Sequence, residues 1–462
     1  MSSRIGARAG IDGRLASLIR IPTVSAERAE RDREFTELPE ELARLYPLVH
    51  EHLEHERIDG TGLLFRWRGA SAQEPLVLMA HWDVVPAPAQ RGETGWRQDP
   101  FSGDIVEESG EHWVVGRGAL DDKGPLVVLL DAVENLLEAG FTPERDIWIV
   151  LGGDEEVMGG NAKAMSDALR QRISGQPWLV LDEGGAVTDR PLPVVDGRCA
   201  MIGLAEKGVL TVRLDTSGAG GHASAPDPDA PISRITQALA RIERNPMPPR
   251  LTRAVSAMLA AFAPLTTGVA GRLLGSAGRA GGVTARALAA VGGEPAALVR
   301  TTVAATRLQA GSADNVIATA ASATLNCRIL PGETVSSVCA RIRRRVRDDR
   351  ISITVLEGHD PSPESPVDDR FDALGDALAL SWPGTAPVPY LMMAASDSRH
   401  FHSWCTHVYR FAPLLMDAQQ RASIHGENER VRVDSLIRGE RFHRELILSR
   451  GGSWTGSETA NA

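Results

Sequence analysis

The chain has few cysteines, no excess of basic residues and no long apolar run, and each shortage excludes a class of protein. Its four cysteines form no CxxC pair, which argues against a disulfide framework or a thiolate zinc site and favours a reducing compartment. The formal net charge is −10, so the chain lacks the positive charge that a general nucleic-acid-binding protein directs at phosphates. No run of about 18 apolar residues occurs, so we expect no membrane-spanning helix.

The amino-terminal residues also lack the apolar core of a secretory signal, because no apolar segment follows Arg4 and Arg8. We therefore expect a cytoplasmic protein. The chain has 462 residues, which is more than a domain with a single hydrophobic core usually contains, so we expect two domains. With 43% hydrophobic and 24% charged residues, its composition is that of a globular protein.

Three short apolar runs, each followed by acidic or imidazole side chains, dominate the first part of the chain. The runs occupy residues 76–80, 147–151 and 178–181. Such runs are typical of strands buried on both faces of a helix-covered parallel sheet. His81 follows the first run, Glu155 and Glu156 come shortly after the second, and Asp182 follows the third. Because ligands of open α/β sheets gather beyond the carboxyl ends of the strands, we expect these side chains to converge.

A pair of adjacent acids, Asp121 and Asp122, lies between glycines in the stretch from Gly116 to Gly124. Glycines permit backbone angles that other residues resist, so the acids can be held at a sharp corner. Alone, such a pair is more often a solvated turn than a metal or proton-transfer site. In combination with the strand ends, it favours a metal site.

His81, Asp121, Glu156, Asp182 and His425 form a set of carboxylate and imidazole ligands without a thiolate. This set suits Zn²⁺, with Mn²⁺ or Co²⁺ as alternatives. Five ligands are too many for one catalytic zinc ion with an open position, so they favour two ions bridged by one carboxylate. Two such ions hold a shared hydroxide and polarise a carbonyl group.

Two further acids have predicted roles beside this set. Asp83, two residues after His81, is expected to accept a hydrogen bond from the imidazole. Glu155 is not needed as a ligand, and we predict that it is the general base for the water and later protonates the leaving amine. Taken singly, each acid is more often an ordinary strand-end residue, and only the combination favours a metal site.

These residues lie in motifs that resemble a known family of co-catalytic zinc metallopeptidases. The family includes aminoacylase, acetylornithine deacetylase, succinyl-diaminopimelate desuccinylase and glutamate carboxypeptidase. The similarity is greatest to the branch of carboxypeptidase S and the N-acyl-amino-acid hydrolases, and it runs from about Ile11 to Leu448. The motifs are HWDVVP at 81–86, GRGALDDKG at 116–124, DEE at 154–156, LDEGG at 181–185, GHAS at 221–224 and IHGENE at 424–429.

The resemblance implies an arrangement for the metal ligands. Asp121 would bridge two zinc ions, with His81 and Asp182 on one ion and Glu156 and His425 on the other. A cis peptide bond would follow the bridging aspartate.

The resemblance also implies roles for residues of an inserted domain. His222 would stabilise the oxyanion, while Asn315 and Arg328 would hold the substrate carboxylate, for which a planar guanidinium is well suited. An ordinary strand-edge arginine remains an alternative for Arg328. Arg399 is a further substrate-binding candidate in a late loop, where residues 394–396 stand in place of the family's usual glycines and threonine before Asp397.

The implied fold is α/β, with a zinc-peptidase catalytic domain built on a helix-covered mixed sheet and a smaller inserted α+β lid domain of the dimerisation type. The catalytic domain is expected at residues 1–205 and 359–450, the lid at 206–358, and a disordered tail at 451–462. We interpret residues 250–300 as a packed helical elaboration rather than a membrane-surface element, because their arginines are scattered along the sequence.

The predicted function is metal-dependent hydrolysis of an amide bond beside a free carboxylate, in small peptides or N-acyl amino acids. Two alternatives remain: a biosynthetic deacylase of N-acetyl or N-succinyl amino acids, and a non-catalytic metal- or peptide-binding relative. The second would show loss of a ligand or of Glu155, and neither loss is present. We expect a small substrate as the partner, without nucleic acid or membrane, and either a monomer or a homodimer formed through the lid.

Overall fold

The computed structural model describes residues 5–87 and 95–454. Within these ranges, no helix combines the length and the apolarity needed to cross a membrane. In chain order the helices are α1 (Ile11–Ile19), α2 (Asp32–Leu45), α3 (Pro47–His52), α4 (Lys123–Glu138), α5 (Asn161–Arg172), α6 (Pro231–Arg244), α7 (Arg253–Phe262), α8 (Gly268–Ser276), α9 (Gly281–Val291), α10 (Gly293–Val299), α11 (Val335–Val346), α12 (Asp369–Ser381), α13 (Ala418–Ser423) and α14 (Val433–Leu448).

The strands have between two and eleven residues, and the central ones are rich in apolar residues. In chain order they are β1 (Glu54–Ile58), β2 (Gly62–Trp67), β3 (Ser71–His81), β4 (Asp104–Glu108), β5 (Glu111–Val115), β6 (Phe141–Pro143), β7 (Arg145–Gly152), β8 (Leu179–Asp182), β9 (Val187–Asp189), β10 (Arg198–Glu206), β11 (Gly208–Ser217), β12 (Gly221–His222), β13 (Thr302–Ala310), β14 (Val316–Ile317), β15 (Ala320–Ile329), β16 (Ser352–His359), β17 (Thr385–Met392), β18 (Val408–Arg410), β19 (Arg430–Arg432) and β20 (Gly452–Trp454).

The largest sheet of the described chain is mixed and has the strand order β1-β2-β7-β3-β8-β18-β10-β17, with β9 beside β10. Strand β3 runs parallel to both β7 and β8, and β18 runs parallel to β8. The strands of this central group therefore end at the same edge, where the candidate ligands follow them. This arrangement confirms the predicted α/β fold with a mixed sheet.

Alternate residues of the central strands pack into different layers. In β3, Leu76 and Leu78 join the main core with α1, α4 and α14, whereas Val77 joins a second core with Met165 and Leu169 of α5. This alternation follows from the two-residue repeat of a strand. Because helices cover both faces of its second half, residues 76–80 of β3 are all apolar, as the sequence pattern predicts.

A second sheet lies between the two parts of the large sheet in sequence and has the order β13-β15-β11-β16. All of its neighbouring strands are antiparallel. Leu210, Val212 and Leu214 of β11 point to one face, where they pack with residues of α6 and α11 in a core of their own. This separate core is the lid.

Helices α7–α10 lie within the range that the sequence pattern assigned to the lid, yet they pack elsewhere. Ala254, Val255, Met258, Leu259 and Phe262 of α7 join the main core, and α7 packs against β17 at the edge of the large sheet. The reason is the apolar face that Val255, Met258, Leu259 and Phe262 form at positions i, i+3, i+4 and i+7 of the helix. The segment is helical, as expected, but it extends the catalytic body rather than the lid core.

The first residues of the predicted disordered tail are ordered in the structure, contrary to the prediction. Gly452, Ser453 and Trp454 form β20, which pairs antiparallel with β6. The Trp454 ring packs against Phe141 with 5.0 Å between ring centroids, so an aromatic contact holds the strand in place. The remainder of the predicted tail, 455–462, lies outside the described residues.

Candidate metal centre and active site

The carboxyl ends of β3, β7 and β8 bring the first group of candidate residues together. His81 is the last residue of β3 and pairs in register with Gly152, the last residue of β7. A short 3₁₀ helix, Glu155–Val157, follows β7 and turns its two acids back toward His81. Residues far apart in sequence therefore meet because their strands are parallel neighbours.

Asp121 reaches the same place from the glycine corner. Gly118 has a φ of 88°, and a Cβ atom there would lie 2.9 Å from the Val84 side chain, so the corner requires glycine. The peptide bond between Asp121 and Asp122 is cis, as the family resemblance implies. The backbone N–H groups of Leu120 and Asp121 donate to the buried carboxylate of Glu429, at 2.8 and 3.2 Å.

Asp121 lies at the centre of the site. Its Oδ1 atom is 3.0 Å from His81 Nε2, and its Oδ2 atom is 3.1 Å from His425 Nε2. His425 Nε2 is also 3.1 Å from Glu156 Oε2. The two oxygens of one carboxylate thus face two different imidazoles, which is the arrangement that a bridging ligand requires.

The donor set fits divalent metal ions. Ligand atoms of His81, Asp121 and Glu156 all lie within 4.8 Å of one another. Glu156 Oε1 is buried without a hydrogen-bond partner, which is a costly position for a carboxylate oxygen unless a cation is bound. The set contains nitrogen and oxygen donors only, as zinc, manganese and cobalt accept.

Asp182 is buried beside this group but does not join it. Its Oδ2 atom accepts the backbone N–H of Ser398 at 2.7 Å. It ends β8, the strand next to β3, so it lies at the same sheet edge as His81. The structure therefore brings four of the five predicted ligands into direct contact and places the fifth nearby.

Asp83 connects two parts of the site. Its carboxylate oxygens accept the backbone N–H groups of Glu155 and Glu156, each at 3.1 Å. His81 Nδ1 lies 3.1 Å from the Asp83 backbone oxygen and 3.4 Å from its Oδ1 atom. The Asp83 carboxylate therefore anchors the loop that carries the two glutamates, and its predicted role as the acceptor for the imidazole stays a prediction.

The close packing of charges shifts the protonation of the site. Burial opposes ionisation of Asp121, but hydrogen bonds from His425 and His81 outweigh it and hold the pKa of Asp121 below its usual range. Hydrogen bonds to Asp121 and Glu156 raise the pKa of His425 to about 10. Burial, together with repulsion from Asp397 and Glu156, raises the pKa of Glu155 well above its usual value.

The predicted lid residues lie apart from this centre. His222 is exposed, and its Nδ1 atom is 2.7 Å from the Ser224 hydroxyl. It pairs with Val316 in the two-stranded ribbon of β12 and β14, which places it next to exposed Asn315. Arg328 lies half-buried in β15 of the lid sheet.

Arg399 belongs to the catalytic body rather than the lid. One of its guanidinium nitrogens donates to the Ser396 backbone oxygen at 2.7 Å, and the same nitrogen lies 3.7 Å from Asp397. Its side chain is therefore held within its own loop. The structure does not bring Arg399 or the three lid residues into contact with the metal ligands.

A cavity of about 510 Å³ opens onto the metal centre, where Asp121, Glu155, Glu156 and His425 line part of its wall. This volume is typical of a site for one small organic ligand. The rest of the wall is largely apolar. Its main apolar residues are Leu192, Met201, Met258, Leu259, Phe262, Leu288, Leu298, Tyr390, Met392, Met393 and Met416.

The sequence pattern did not assign this wall. The sequence of α7 does contain a signal for an apolar helix face, because Val255, Met258, Leu259 and Phe262 recur at i, i+3, i+4 and i+7. Such spacing predicts a buried helix face but gives no information about the surface that covers it. In the folded chain, this face of α7 lies against the edge strand β17 and lines the cavity, and neither neighbour can be identified from the sequence of the helix.

The mixed sheet, the inserted antiparallel domain and the carboxylate–imidazole centre at the strand ends define a hydrolase of the metallopeptidase class. Residues 77–449 match the family model described as Peptidase family M20/M25/M40. The chain belongs to this family, so the resemblance in its motifs is confirmed.

Two relatives of the chain carry names that describe amide-hydrolysing enzymes. The chain is 34% identical over 456 residues to the N-fatty-acyl-amino acid synthase/hydrolase PM20D1 of Mus musculus, covering 95% of this chain and 88% of the relative. It is 31% identical over 446 residues to the probable carboxypeptidase S-like 2 of Dictyostelium discoideum, covering 94% and 84%.

The fold has relatives among solved structures. The M20 family metallo-carboxypeptidase Sso-CP2 of Sulfolobus solfataricus aligns with a TM-score of 0.70 at 16% identity, covering 94% of this chain and 97% of that one. Together, these comparisons show that the chain is an enzyme and that its reaction is metal-dependent amide hydrolysis.

Proposed function

We propose that the enzyme hydrolyses N-acyl amino acids whose acyl group is long and apolar. Water adds across the amide, the carbon–nitrogen bond breaks, and a fatty acid and a free amino acid are released. The observation that carries this proposal is the cavity, which joins the metal centre to a wall built mainly of Leu, Met and Phe side chains. An apolar acyl chain gains free energy by leaving water for such a wall. The mouse relative is named for N-fatty-acyl amino acids, which agrees with this substrate class.

The methionines of the wall support a flexible acyl chain as the ligand. Five of the ten methionines in the chain line the cavity. Methionine is unbranched and polarisable, so it fills irregular gaps and adapts to different shapes. A wall of this kind suits substrates that share chemistry but differ in chain length or bends.

The proposed metal arrangement follows from the donor set. Two divalent ions, Zn²⁺ or alternatively Mn²⁺ or Co²⁺, would be held by His81 and Asp182 on one side and by Glu156 and His425 on the other, with Asp121 between them. When bound, such ions polarise the amide carbonyl and make water a stronger nucleophile. The close contacts of His81 and His425 with the two Asp121 oxygens support this arrangement.

Glu155 is the proposed general base and acid. It lines the cavity beside the ligand Glu156 but has no ligand role in the proposed arrangement. Burial favours its neutral form, which is the property of a carboxylate that takes up a proton readily. In the proposed reaction, Glu155 accepts the proton of the attacking water and donates it to the leaving amine nitrogen. Asp83 holds the Glu155 backbone in place.

His222, Asn315, Arg328 and Arg399 remain proposed substrate-binding residues. In this proposal His222 stabilises the oxyanion. Arg328, Arg399 and the side-chain amide of Asn315 bind the carboxylate of the amino-acid part of the substrate. Because the three lid residues do not line the cavity, they can act only if the lid approaches it. The proposal therefore includes a lid movement in a monomer or a homodimer formed through the lid.

The proposal also retains the cytoplasm as the place of action. All four cysteines are free, and three of them, Cys199, Cys327 and Cys405, are buried. Burial raises the pKa of the Cys199 thiol to about 11, so it stays protonated and unreactive. Such thiols agree with a reducing compartment.

Carboxypeptidase action on small peptides is the second candidate. The Dictyostelium relative is named as a probable carboxypeptidase S-like protein, and exposed Arg421 gives the cavity wall a cation that can meet a peptide carboxylate. A peptide would leave much of the apolar wall without a matching ligand, so we place this candidate second.

A substrate panel separates these candidates. The rate constant kcat/KM is measured for one amino acid carrying acetyl, succinyl, octanoyl and oleoyl groups, and for dipeptides ending in that amino acid. We expect kcat/KM to rise with acyl length, since each buried methylene contributes about 0.8 kcal/mol, or roughly fourfold. A maximum at acetyl or succinyl would favour the biosynthetic deacylase, and a maximum at the dipeptides would favour the carboxypeptidase.

A further inference from the structure

The four most exposed large apolar side chains of the described residues lie in two helices that follow one another in sequence and both pack against the short helix Ala277–Ala280 between them. They are Val269 and Leu273 of α8 and Val283 and Val291 of α9, with 71%, 65%, 67% and 73% of their surface exposed. The next most exposed, Leu308 of the lid, reaches 58%. Single exposed apolar residues are ordinary, but a concentration of this kind marks an interaction surface.

Helix geometry places basic residues on the same faces. In α8, Val269, Arg272 and Leu273 stand at positions i, i+3 and i+4, so they share one side of the helix. In α9, Arg286 follows Val283 by three residues and is also exposed. Arginines that are scattered along the sequence are therefore gathered beside the exposed apolar residues once the helices form.

The charge of this surface differs in sign from that of the whole chain. Between Gly268 and Gly293 the sequence contains Arg272, Arg279 and Arg286 and no acidic residue, whereas the chain as a whole carries −10. All three arginines are exposed, and the ion pairs of the described chain involve none of them. The surface thus combines apolar side chains with positive charges that form no ion pair with any residue in the ranges 5–87 and 95–454.

The opposite side of the same helical layer faces the cavity. Leu288 of α9 and Leu298 of α10 line the cavity wall, while Ala285 of α9 is buried. In α9, exposed Val283 and Arg286 lie on a different side of the helix from Ala285 and Leu288, while Val291 is exposed at the end of the helix. The layer therefore separates the apolar cavity from the apolar and basic outer surface.

We propose that the outer surface of α8 and α9 docks on an anionic lipid surface. Interfacial helices combine apolar residues, which enter the headgroup region, with arginines that meet anionic lipids. Docking would bring the acyl cavity close to a bilayer in which amphiphilic substrates dissolve; this last step rests on the proposed function, whereas lipid binding itself does not. The earlier interpretation of the segment as packed helices describes only its inner side.

The charges argue against a second copy of the chain as the occupant. In a symmetric dimer, the same patch of both subunits meets itself. Arg272 and Arg286 would then approach their own counterparts, and like charges brought together in an interface are unfavourable. An anionic surface instead neutralises them.

Vesicle sedimentation tests this proposal with the full chain. Binding is measured to phosphatidylcholine vesicles with and without phosphatidylglycerol. The test variants are V269S/L273S/V283S/V291S and R272Q/R279Q/R286Q, and L308S/L356S, which alters exposed leucines of the lid, is the matched control. We expect the unmodified chain and the control to bind anionic vesicles more tightly than neutral ones. Each arginine removed should weaken binding by roughly fivefold at low salt.

Two further measurements keep the proposal distinct from the proposed function. Hydrolysis of a water-soluble short-chain N-acyl amino acid should be equal in all variants, which also shows that they fold. Light scattering gives the oligomeric state of each. Equal vesicle binding by the test variants and the control, or no binding by the unmodified chain, would overturn the proposal. A dimer that the serine variant splits, without an effect on vesicle binding, would assign this surface to a second copy instead.

Discussion

The metal centre and the lid contrast in how far the folded chain has prepared them for chemistry. At the centre, Asp121 is already within 3.1 Å of two histidines, and Glu155 and Glu156 are fixed by Asp83. In the lid, His222 is exposed and contacts no residue of the centre. The first group is held by parallel strands that end at one edge, whereas the second depends on the position of a separate domain.

This contrast indicates a division of work between the two regions. Residues that must be correctly placed before the substrate arrives are buried in the rigid sheet edge, where reorganisation is small. Under the proposed function, the lid residues that recognise the substrate arrive with a moving domain, which then excludes water from the site. The predictions below test this division, beginning with the largest effect.

Removal of metal should have the largest effect on activity, because the proposed reaction at the metal centre depends on the bound ions. We expect dialysis against a chelator to lower activity by on the order of 10⁴-fold, since bound ions contribute several kcal/mol to catalysis. Added Zn²⁺, Mn²⁺ or Co²⁺ should restore activity, and metal analysis should find two ions per chain. Circular dichroism serves as the control for folding. Full activity in metal-free protein would contradict the proposed site.

Glu155→Gln should come next. We expect kcat to fall by about a thousandfold, within the range typical of general acid–base catalysis, because the amide cannot accept a proton from water. Metal content should stay unchanged. Glu294→Gln is the matched control, since Glu294 also lines the cavity but lies on α10. Near-normal turnover in the Glu155 variant would remove the assignment of the base.

His222→Ala tests whether the lid takes part at all. We expect kcat to fall by roughly a hundredfold, as when one oxyanion donor is removed, with no loss of metal. His359→Ala is the control, because His359 is another exposed histidine of the lid. If both variants retained full activity, the lid would have no chemical role and the comparison between the regions would fail.

Leu259→Trp should alter selectivity rather than chemistry. The larger ring would occupy part of the cavity, so we expect kcat/KM for a long acyl chain to fall by about tenfold relative to acetyl, a penalty in the range of an overpacked apolar site. Leu308→Trp on the exposed lid strand is the control. A uniform loss for all chain lengths would place the acyl group elsewhere.

The smallest effect concerns stability in acid. Burial lowers the pKa of His443 in α14 to about 3. The folded chain keeps this histidine neutral while the unfolded chain takes up a proton below about pH 6.5, so stability falls as the pH drops toward 3. This residue alone should cost about 1.4 kcal/mol per pH unit in that window. Denaturant unfolding of the catalytic body at pH 7 and pH 5 should show a smaller difference in His443→Leu.

The sequence contained most of the information about the metal centre. Apolar runs followed by His81, Glu156 and Asp182 predict strand ends, and parallel pairing then brings those ends together. The position of the lid was not readable, because nothing in the sequence around Asn315 or Arg328 specifies a distance to another domain. The separate packing of α7 from the lid core was also hidden, since an amphipathic helix does not specify its partner.

One feature of the fold bears on how such enzymes diverge. The segment from α7 to α10 supplies much of the cavity wall, including Phe262 and Leu298, yet it contributes no ligand, base or oxyanion donor. Under the proposed function, changes in this segment can therefore alter which acyl groups the cavity accepts while the residues of the metal centre stay the same. Replacing the α7–α10 segment of one homologue with that of another should therefore transfer the donor's preference for acyl-chain length.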